Sequence, residues 1–563
     1  MAHMYVDNIK VEIEDEKNVL EIVRKAGIDL PTFCYFSELS TYGACRMCII
    51  EHEDGKIEAS CTTVPKDGMK IRTNTPRLQK HRRMILELML ASHCRDCTTC
   101  SKNGACRLQE LAVRFGVNEV RFEDNREISG IDESSTSIVR DPGKCILCGD
   151  CVRVCKEKQG LNIIDFVKKG ADMEVLPKTS DKIGETDCVN CGQCAAVCPT
   201  GAIMVKDETE KMWQYLNDPK KRVVVQIAPA VRVALGDAFG IEHGENVLGK
   251  IVSALKMMGF DEVFDTVLGA DLTTVEEAAE FVERLNNGGP FPMFTSCCPA
   301  WVKHCEQKHP QYINKNVSSC KSPMQMYGAV IKKWHQLSGD DRELISVAVM
   351  PCTAKKFEIS RKEFTDENGR RIINVVLTTR ELAKMIKESG IRFGDLLPEY
   401  LDSPFDIGGS GAGVIFGVTG GVAEAIIRTC SERKGSGVLR EIKFSGVRGK
   451  EEIKETTVSV NGRDVHVGIV HGLKNVEYLI KEIEGGRMYF DLVEVMACPE
   501  GCIGGAGQPF GMFTERDKRA IGLYHTDDRT QIKFPDKNPA VGEVYEMLGD
   551  EAHHALHVRY NTD

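Results

Sequence analysis

Twenty-four cysteines, most of them in closely spaced groups, constrain this 563-residue chain more than any other feature of its sequence. The N-terminus lacks the apolar segment of a signal peptide, and no apolar run approaches the ~18 residues that a membrane-spanning helix requires. We therefore predict a cytoplasmic protein without a membrane partner. In a reducing compartment its cysteines are expected to bind metals rather than to form disulfides.

The remaining composition is that of a large globular protein. The net charge is −10 with acidic and basic residues intermixed, which argues against a nucleic-acid partner because phosphate binding requires a basic surface. With 42% hydrophobic and 28% charged residues the chain can bury complete cores. Its length suggests about four domains.

The strongest metal-binding pattern is a run of four cysteines that occurs twice. Cys145-x2-Cys148-x2-Cys151-x3-Cys155 recurs as Cys188-x2-Cys191-x2-Cys194-x3-Cys198, followed by Pro199. In two-cluster ferredoxins with this spacing, the last cysteine of each run binds the cluster of the other run. The runs therefore predict two [4Fe-4S] clusters, one held by Cys145, Cys148, Cys151 and Cys198 and the other by Cys188, Cys191, Cys194 and Cys155.

Two further groups of candidate ligands precede these runs. The first group lies among short alternating segments and one helical segment. Its arrangement is typical of a [2Fe-2S] module, although it lacks the plant-type spacing, and its members are Cys34, Cys45, Cys48 and Cys61. The second group follows an amphipathic helical segment. Its members can hold another [4Fe-4S] cluster and are His93, Cys97, Cys100 and Cys106. Zinc is the alternative for both groups, and Cys94 competes with His93 as a ligand.

Downstream of residue 210 the sequence alternates between apolar strand-like runs and helical patterns, which indicates α/β units around a mostly parallel sheet. Three cysteine loops each follow such a run: TSCCPAW from Thr295, MPCTAKKFE from Met350 and EVMACPEGCIGGAGQP from Glu494. Ligands bind at the carboxyl ends of strands in open α/β sheets. Four cysteines of these loops are therefore candidates to converge on one further cluster.

These loops resemble the three signature loops of the [FeFe] hydrogenases, TSCCPxW, MPCxxKxxE and ExMACxxGCxxGGGQP. The resemblance implies an α/β catalytic domain with mostly parallel sheets, preceded by α+β ferredoxin-like iron-sulfur domains. It also implies reversible interconversion of H2 with protons and electrons at an H-cluster, in which a [4Fe-4S] cubane joins a two-iron site carrying CO, cyanide and azadithiolate. The accessory cofactors would be one [2Fe-2S] and three [4Fe-4S] clusters.

The domain boundaries follow from the same resemblance. They are a two-iron ferredoxin-like β-grasp domain at 1–77, a His/Cys3 [4Fe-4S] domain at 78–125, a two-[4Fe-4S] ferredoxin-like domain at 126–210, the H-cluster catalytic domain at 211–510 and a C-terminal tail packed on it at 511–563.

The resemblance further implies the residues of the catalytic site. The cubane ligands would be Cys298, Cys352, Cys498 and Cys502, the last bridging to the two-iron site. The proton path would start at Cys297 as a relay thiol and continue through Glu277, Ser318, Glu280 and Arg284, the last at the surface. From spacing alone, the stripe of Glu277, Glu280 and Arg284 on one helix equally fits a solvated face with a Glu280–Arg284 pair.

The resemblance assigns the other residues around the two-iron site as well. Lys355 resembles the lysine that donates to an iron-bound cyanide. The apolar lining would comprise Ala228, Pro229, Met350, Phe416 and Met496. The sequence departs from the family at Ala506, where glycine is more common and the change is expected to tighten the space beside the cubane. It also departs at Ala230 and Met324, where some members carry serine and glutamine.

Several residues match no ligand position. Cys305, Cys320 and Cys430, together with the ambiguous Cys94, are predicted to be small buried or reactive thiols. The C-terminal segment places His553, His554 and His557 on a predicted surface helix.

Two other functions fit parts of the chain. The first ~210 residues also resemble the iron-sulfur arm of NADH dehydrogenases, which would make the chain an electron-transfer subunit. A sensory or iron-sulfur assembly relative is the second alternative, and the three intact loops with Cys297 favour an enzyme. The expected partners are H2, protons and maturation proteins, together with ferredoxin or, with a slight preference, a flavoprotein NAD(P)H-binding subunit. The GGSGAG run from Gly408 lacks the dinucleotide-binding register.

Overall fold

The computed structural model describes residues 2–123, 129–366, 368–405, 407–432, 434–443, 445–509 and 515–561. The chain forms two compact units. The N-terminal unit comprises Met1–Thr186 and Gln193–Met204, and the catalytic unit comprises Asp187–Gly192 and Val205–Asp563.

The N-terminal unit combines short strands and helices, as an α+β arrangement of small modules should. Its strands are β1 His3–Val6, β2 Ile9–Glu12, β3 Ile49–His52, β4 Ile57–Ala59, β5 Lys70–Arg72, β6 Ile138–Arg140, β7 Ile164–Val167, β8 Glu174–Pro177 and β9 Ile203–Val205. Its helices are α1 Val19–Lys25, α2 Pro76–Ala91, α3 Arg107–Arg114, α4 Asp150–Glu157 and α5 Gln193–Val197.

The first five strands form one sheet in the order β2-β1-β5-β3-β4, and β6-β9 and β7-β8 form two-stranded sheets. Met4 and Val6 of β1 point into the core, where they meet the buried face of α1. Helix α1 begins at Asn18, whose side chain accepts a hydrogen bond from the backbone of Glu21 and so caps the helix. Buried Arg82 of α2 donates to the backbone oxygens of Met47 and Ile49, which ties this helix to the sheet module.

The catalytic unit is an α/β structure. Its strands are β10 Lys221–Ile227, β11 Glu262–Asp265, β12 Met293–Phe294, β13 Glu343–Met350, β14 Val375–Thr378, β15 Ile453–Val460, β16 Arg463–His471 and β17 Leu492–Met496. Its helices are α6 Thr209–Leu216, α7 Leu248–Met257, α8 Val267–Asn287, α9 Pro299–Lys308, α10 Pro323–Ser338, α11 Ala354–Glu358, α12 Thr379–Glu388, α13 Gly411–Val414, α14 Gly421–Cys430, α15 Ser436–Lys443, α16 Leu473–Glu484, α17 Glu515–Arg529, α18 Pro539–Leu548 and α19 Ala552–Leu556.

Two four-stranded sheets form the framework of this unit, in the orders β11-β10-β13-β14 and β12-β17-β16-β15. All pairings are parallel except that of β15 with β16. The predicted mostly parallel sheets are therefore confirmed. The apolar run of β10 is buried on both faces, as the central strand of a parallel sheet covered by helices should be.

The three cysteine loops follow the carboxyl ends of parallel strands β12, β13 and β17, as predicted. Helix α8 carries the predicted acidic stripe and starts at Val267, several residues before the segment that its pattern predicts. In the part of the chain that the structure describes, no helix has both the length and the apolar character to cross a membrane.

The C-terminal tail packs on the rest of the catalytic unit. Val541, Val544 and Leu556 join the apolar cluster that also contains residues of α8 and α10. The sequence predicts one helix carrying all three tail histidines, but α19 ends at Leu556 and His557 has extended backbone angles, φ −108° and ψ 159°.

Candidate active site

A cavity lies where the three cysteine loops meet in the catalytic unit. Its wall contains the four predicted cubane ligands and the predicted relay, Cys298, Cys352, Cys498, Cys502 and Cys297. All five predicted lining residues also face it: Ala228, Pro229, Met350, Phe416 and Met496.

The residues present fit an iron-sulfur cofactor. Burial raises the pKa of the Cys498 thiol well above its ordinary value, and the nearby thiols of Cys352, Cys298 and Cys502 raise it further. The same causes, burial first, raise the pKa of Cys502. Several thiols that converge in one apolar cavity are the ligands that an iron-sulfur cluster requires, because bound iron keeps thiolates deprotonated.

One cation faces this group of thiols. Lys355 lies on the cavity wall at the start of α11, and its ammonium donates to Glu358 Oε2 at 2.9 Å and to the Cys297 carbonyl at 3.4 Å. Burial lowers the pKa of Lys355, but Glu358 and the thiols of Cys352 and Cys297 outweigh burial, so that the net pKa is raised. Lys355 therefore stays charged.

The third cysteine loop is held by a buried acid and by close backbone contacts. Glu494 accepts hydrogen bonds from the backbone nitrogens of Gly420 at 2.6 Å and Ala423 at 2.8 Å, at the beginning of α14, where a carboxylate is favoured. A Cβ at Gly505 would lie 2.3 Å from the Pro351 carbonyl, so this position requires glycine. The contacts of Glu494 and Gly505 thus hold the third cysteine loop in place, the latter directly against the second loop.

Ala506 does not narrow the cavity, contrary to the expectation from the sequence. A Cβ at Gly192 would lie 2.9 Å from the Ala506 methyl, which shows that this methyl faces the short segment 187–192. Ala230 and Met324 do line the cavity, so that both replace polar groups at its wall.

Glu277 of α8 is the buried carboxylate next to Cys297. Its Oε1 accepts hydrogen bonds from the Ser296 nitrogen at 3.2 Å and the Ser296 hydroxyl at 3.3 Å. Its Oε2 has no partner among the described residues. Burial raises the pKa of Glu277 to about 8, and the charge of Glu280 adds to the rise while the Ser296 hydrogen bonds oppose it.

Three more residues of the predicted proton path form a connected polar group. The Ser318 hydroxyl donates to Glu280 Oε2 at 2.9 Å, and Arg284 donates to Glu280 Oε1. Ser318 is also near enough to Glu277 to lower its pKa slightly. The sequence places Arg284 at the surface, but its side chain is only 10% exposed because it also donates to the backbone oxygens of Asn316 and Pro290.

In the N-terminal unit, the first cysteine group is fully buried: Cys34, Cys45, Cys48 and Cys61. The thiols of Cys34 and Cys45 lie close together, as do those of Cys48 and Cys61, and Cys45 donates its backbone N–H to Cys34 Sγ at 3.4 Å. The hydrogen bond from Cys34 lowers the pKa of Cys45 to about 7, which favours the thiolate that binds metal.

The His93 group and the competing residue Cys94 line one cavity of about 250 Å³. The ligand candidates in its wall are His93, Cys94, Cys97, Cys100 and Cys106. His93 Nδ1 is buried and has no partner among the described residues, whereas Cys94 is exposed. Burial lowers the pKa of His93, which favours the neutral imidazole that a metal ligand requires. These observations favour His93 over Cys94.

The first ferredoxin-type group also converges. A cavity of about 430 Å³ is lined by Cys145, Cys148, Cys151 and Cys198. Leu147 donates its backbone N–H to Cys145 Sγ at 3.4 Å and has a left-handed φ of 55°. Asn190, the corresponding residue of the second run, has φ 60°. The repeated spacing therefore repeats a backbone conformation as well.

The second run is divided between the units: Cys188 and Cys191 belong to the catalytic unit, and Cys155 and Cys194 to the N-terminal unit. Within the catalytic unit, Thr353 of the second cysteine loop donates to the Asn190 carbonyl at 2.8 Å. The thiol of Cys191 is close enough to Cys498 to raise its pKa. Thus Asn190 and Cys191 of the second ferredoxin-type run adjoin the second and third cysteine loops.

Three of the four remaining cysteines, Cys305, Cys320 and Cys430, are buried as predicted, whereas Cys94 is exposed. Several residues that contact the site were not assigned a role from the sequence: Ser296, Ser319, Thr353, Glu358 and Glu494. The spacing of Lys355 and Glu358 at i and i+3 on one helix is the signal that could have identified Glu358. The others act through backbone or long-range contacts that leave no local pattern.

Comparison with known proteins decides the family. Residues 221–506, which build most of the cavity wall, match the family model described as iron only hydrogenase large subunit, C-terminal domain. NADP-reducing hydrogenase subunit HndD of Solidesulfovibrio fructosivorans is 39% identical over 100% of this chain and 99% of its own length. The chain belongs to the iron-only hydrogenase family.

The other comparisons agree with this family. Iron hydrogenase 1 of Clostridium pasteurianum is 34% identical over 100% of both chains. A solved structure of a variant of [FeFe]-hydrogenase HydA1 from Chlamydomonas reinhardtii is 33% identical, with a TM-score of 0.55, and covers 63% of this hydrogenase and 99% of that chain.

Shorter family models match the remainder of this hydrogenase. They are a 2Fe-2S iron-sulfur cluster binding domain at residues 1–76, an NADH-ubiquinone oxidoreductase-G iron-sulfur binding region at 82–121, a 4Fe-4S dicluster domain at 144–202 and an iron hydrogenase small subunit at 514–563. The predicted family, fold class and enzyme class are thus confirmed. This hydrogenase is an oxidoreductase that interconverts H2 with protons and electrons at an H-cluster and carries [2Fe-2S] and [4Fe-4S] domains.

Proposed function

We propose that Cys298, Cys352, Cys498 and Cys502 hold the H-cluster, with Cys502 as the bridge to its two-iron part. The observation that carries this assignment is the convergence of all four thiols, from three loops distant in sequence, on one cavity. When bound, the H-cluster supplies the centre at which two protons and two electrons combine to H2 or are released from it.

The chain itself supplies a dry, shaped pocket for that chemistry. Met350, Phe416 and Met496 exclude water from the cavity, and Ala228 and Pro229 complete its apolar wall. Charged Lys355 is oriented by Glu358 and offers N–H donors to a cyanide ligand, where a charge-assisted hydrogen bond is strong.

Proton transfer is assigned to a short series of side chains. The Cys297 thiol exchanges a proton with Glu277, whose unpaired Oε2 and raised pKa suit a carboxyl that alternates between acid and base near neutral pH. Ser318 donates to Glu280 and lies near Glu277, so its hydroxyl is placed to pass a proton between them. Arg284 holds Glu280 in place by a salt bridge.

Electrons travel through the N-terminal clusters. We assign the [2Fe-2S] cluster to Cys34, Cys45, Cys48 and Cys61, and one [4Fe-4S] cluster to His93, Cys97, Cys100 and Cys106. Two further [4Fe-4S] clusters are assigned to the ligand sets predicted from the repeated runs. Cys191 lies next to the Cys498 loop, which supports the cluster of Cys188, Cys191, Cys194 and Cys155 as the immediate electron donor to the H-cluster.

The electron partner in this proposal is a flavoprotein NAD(P)H-binding subunit, with ferredoxin as the alternative. The name of the HndD relative, an NADP-reducing hydrogenase subunit, and the match of residues 82–121 to an NADH dehydrogenase iron-sulfur region support it. We place this enzyme in the cytoplasm, where dedicated maturation proteins complete its two-iron site.

Three measurements test the proposal. Infrared spectra of anaerobically matured protein should show bands of iron-bound CO and cyanide, and reduced viologen should drive H2 evolution. Iron-loaded, matured protein with neither property would contradict the assignment of the site. H2 evolution from NAD(P)H should require an added flavoprotein subunit, and equal rates with reduced ferredoxin alone would instead favour the ferredoxin partner.

A further inference from the structure

A second polar chain leaves Glu280 in a direction that the proposed proton path does not use. Glu280 Oε2 accepts hydrogen bonds from the Ser319 nitrogen at 3.1 Å and the Ser319 hydroxyl at 3.3 Å. The Ser319 hydroxyl lies 2.9 Å from His557 Nδ1. On the other side of the ring, His557 Nε2 lies 3.0 Å from Glu276 Oε2.

The tail is built to hold His557 at this place. Backbone pairing joins the two segments, since Val558 donates to the Ser319 carbonyl and Lys321 donates to the Leu556 carbonyl, each at 2.8 Å. The Lys321 ammonium adds bonds to the carbonyls of His554 and Ala555 at 2.9 and 3.0 Å. The extended conformation of His557 after α19 therefore reflects a small β-bridge to the loop that carries Ser319.

Arg284 leaves the proposed path without a titrating group at its outer end. A guanidinium is effectively never deprotonated in a protein, so Arg284 can position Glu280 but cannot pass a proton on. An imidazole, by contrast, has two nitrogens and titrates near neutral pH, which allows it to accept a proton at one nitrogen and to release one at the other. The His557 side chain is 14% exposed and that of Glu276 is 20% exposed, so water reaches both.

The groups that face His557 come from three elements. Helix α8 supplies Glu276, which also accepts a hydrogen bond from Tyr545 of α18. The ring of His553 stacks on that of His557 with centroids 4.4 Å apart and planes 15° apart. The Ser319 loop supplies the hydroxyl and, through it, the carboxylate of Glu280.

We infer that His557, supported by Glu276, is a relay that carries protons between water and Glu280 through the Ser319 hydroxyl. This inference rests on the proposed function, because it requires Glu280 to lie on the proton route. During H2 evolution, neutral His557 binds a proton from water. The Nδ1–H bond of the imidazolium then breaks as that proton passes to Ser319 Oγ, and the original hydroxyl proton of Ser319 passes to the Glu280 carboxylate.

Charge is balanced in this transfer, since the imidazolium loses one proton and the carboxylate gains one. The ring resets by tautomer exchange with the water at its exposed edge. During H2 oxidation the same steps run in reverse. The tail is thus part of the proton route rather than only a cover for the catalytic unit.

The central test is His557→Gln in the matured, cluster-loaded enzyme. Glutamine retains hydrogen-bonding atoms but does not titrate. We expect a loss of about three- to tenfold in both directions, smaller than the ~100-fold or greater loss of an obligatory acid–base group because Glu280 keeps its direct access to water. The pH profile of the rate from about pH 5 to about pH 9 should differ in shape from that of the wild type, and added imidazole should restore part of the rate.

Two variants make the test independent of tail folding. Ser319→Ala removes only the bridging hydroxyl and keeps the backbone pairing with Val558, so it should reproduce the His557→Gln profile, and the double variant should add nothing. His554→Gln changes an exposed histidine of the same tail and should leave rates and profile unchanged.

A readout other than turnover comes from infrared difference spectra of carboxylic acid groups. The band that disappears in Glu280→Gln should shift in frequency and in pH dependence in both His557→Gln and Ser319→Ala. Wild-type profiles and wild-type carboxyl bands in both variants would overturn the relay. If Glu280→Gln itself retains full turnover, it is the proposed proton route that fails, so the two failures are distinguishable.

Discussion

The ammonium of Lys355 lies 2.9 Å from Glu358 Oε2, in a pair that is almost completely buried and borders the cavity of the three cysteine loops. The pair gives the site one fixed positive charge beside several thiols. Lys355 therefore has two roles, because Glu358 stabilises its charge while its third N–H donor remains available at the cavity wall.

The Lys355 pair predicts a split between stability and activity. Lys355→Met should leave Glu358 as an unpaired buried charge and lower the free energy of unfolding by ~3 kcal/mol or more. Adding Glu358→Gln should recover most of that stability without restoring turnover. Anaerobic thermal unfolding and H2 evolution measure the two effects. A double variant with wild-type turnover would contradict the role of Lys355 in the cavity.

Cys297 is expected to be required for turnover and not for cluster binding. Cys297→Ser should retain the infrared bands and iron content of the matured enzyme, yet lose at least ~100-fold in rate, since a serine hydroxyl is a much weaker acid than a thiol. Cys305→Ala, at a buried cysteine outside the cavity lining, is the matched control. Near-normal rates in Cys297→Ser would refute the relay.

Glu280 should be distinguishable from an ordinary surface acid. Glu280→Gln should slow H2 evolution and oxidation alike by ~100-fold while cluster spectra stay unchanged. Glu283→Gln, on the exposed side of the same helix, should have no effect. Equal rates in both variants would mean that the acidic stripe on α8 has only a structural role.

Glu277 predicts a pH dependence of stability with a defined sign. Its pKa in the folded state is raised to about 8 by burial, so between its unfolded pKa of ~4.3 and 8 the native state binds more protons than the unfolded state. The stabilising contribution is therefore complete below pH ~4 and is lost as the pH rises towards 8.

Glu277→Gln should remove this dependence, so that the variant loses less stability than the wild type between pH 6 and pH 9, a window chosen to span a pKa of about 8. Thermal unfolding at several pH values measures the difference. Parallel curves for the two proteins would mean that Glu277 does not take up a proton on folding.

The second cluster predicts a difference between adjacent residues. His93→Gln should lose or convert one [4Fe-4S] cluster, because the buried imidazole is the assigned ligand, whereas Cys94→Ser should retain it. Iron analysis and electron paramagnetic resonance of the reduced protein count the clusters. Loss of the cluster in Cys94→Ser alone would reverse the assignment.

The sequence predicts the local parts of this protein well. The spacing of Cys145, Cys148 and Cys151 brings their thiols to one cavity, since such spacing acts over a single turn of chain. The α/β framework likewise follows from buried apolar runs such as that of β10, which only a parallel sheet covered on both faces accommodates. The positions of the three loops at strand ends are a consequence of that framework.

Features that depend on distant contacts do not appear in the sequence. Arg284 looks like half of a surface pair, but the Asn316 and Pro290 carbonyls enclose it. His557 looks helical because its spacing to His553 suits a helix, yet pairing with a loop 238 residues earlier extends its backbone. In both places long-range hydrogen bonds override a local pattern.

The hydrogen bond from Thr353 to Asn190 limits how this chain can be shortened. A fragment that begins at residue 205 would contain every cysteine of the cavity but would lack the segment 187–192. The Thr353 hydroxyl and the Ala506 methyl would then be open to water just behind the loops that bind metal. No single cut in the chain keeps this segment with the catalytic unit and also leaves the N-terminal unit whole. A minimal catalytic fragment would therefore need a new surface designed to cover Thr353 and Ala506.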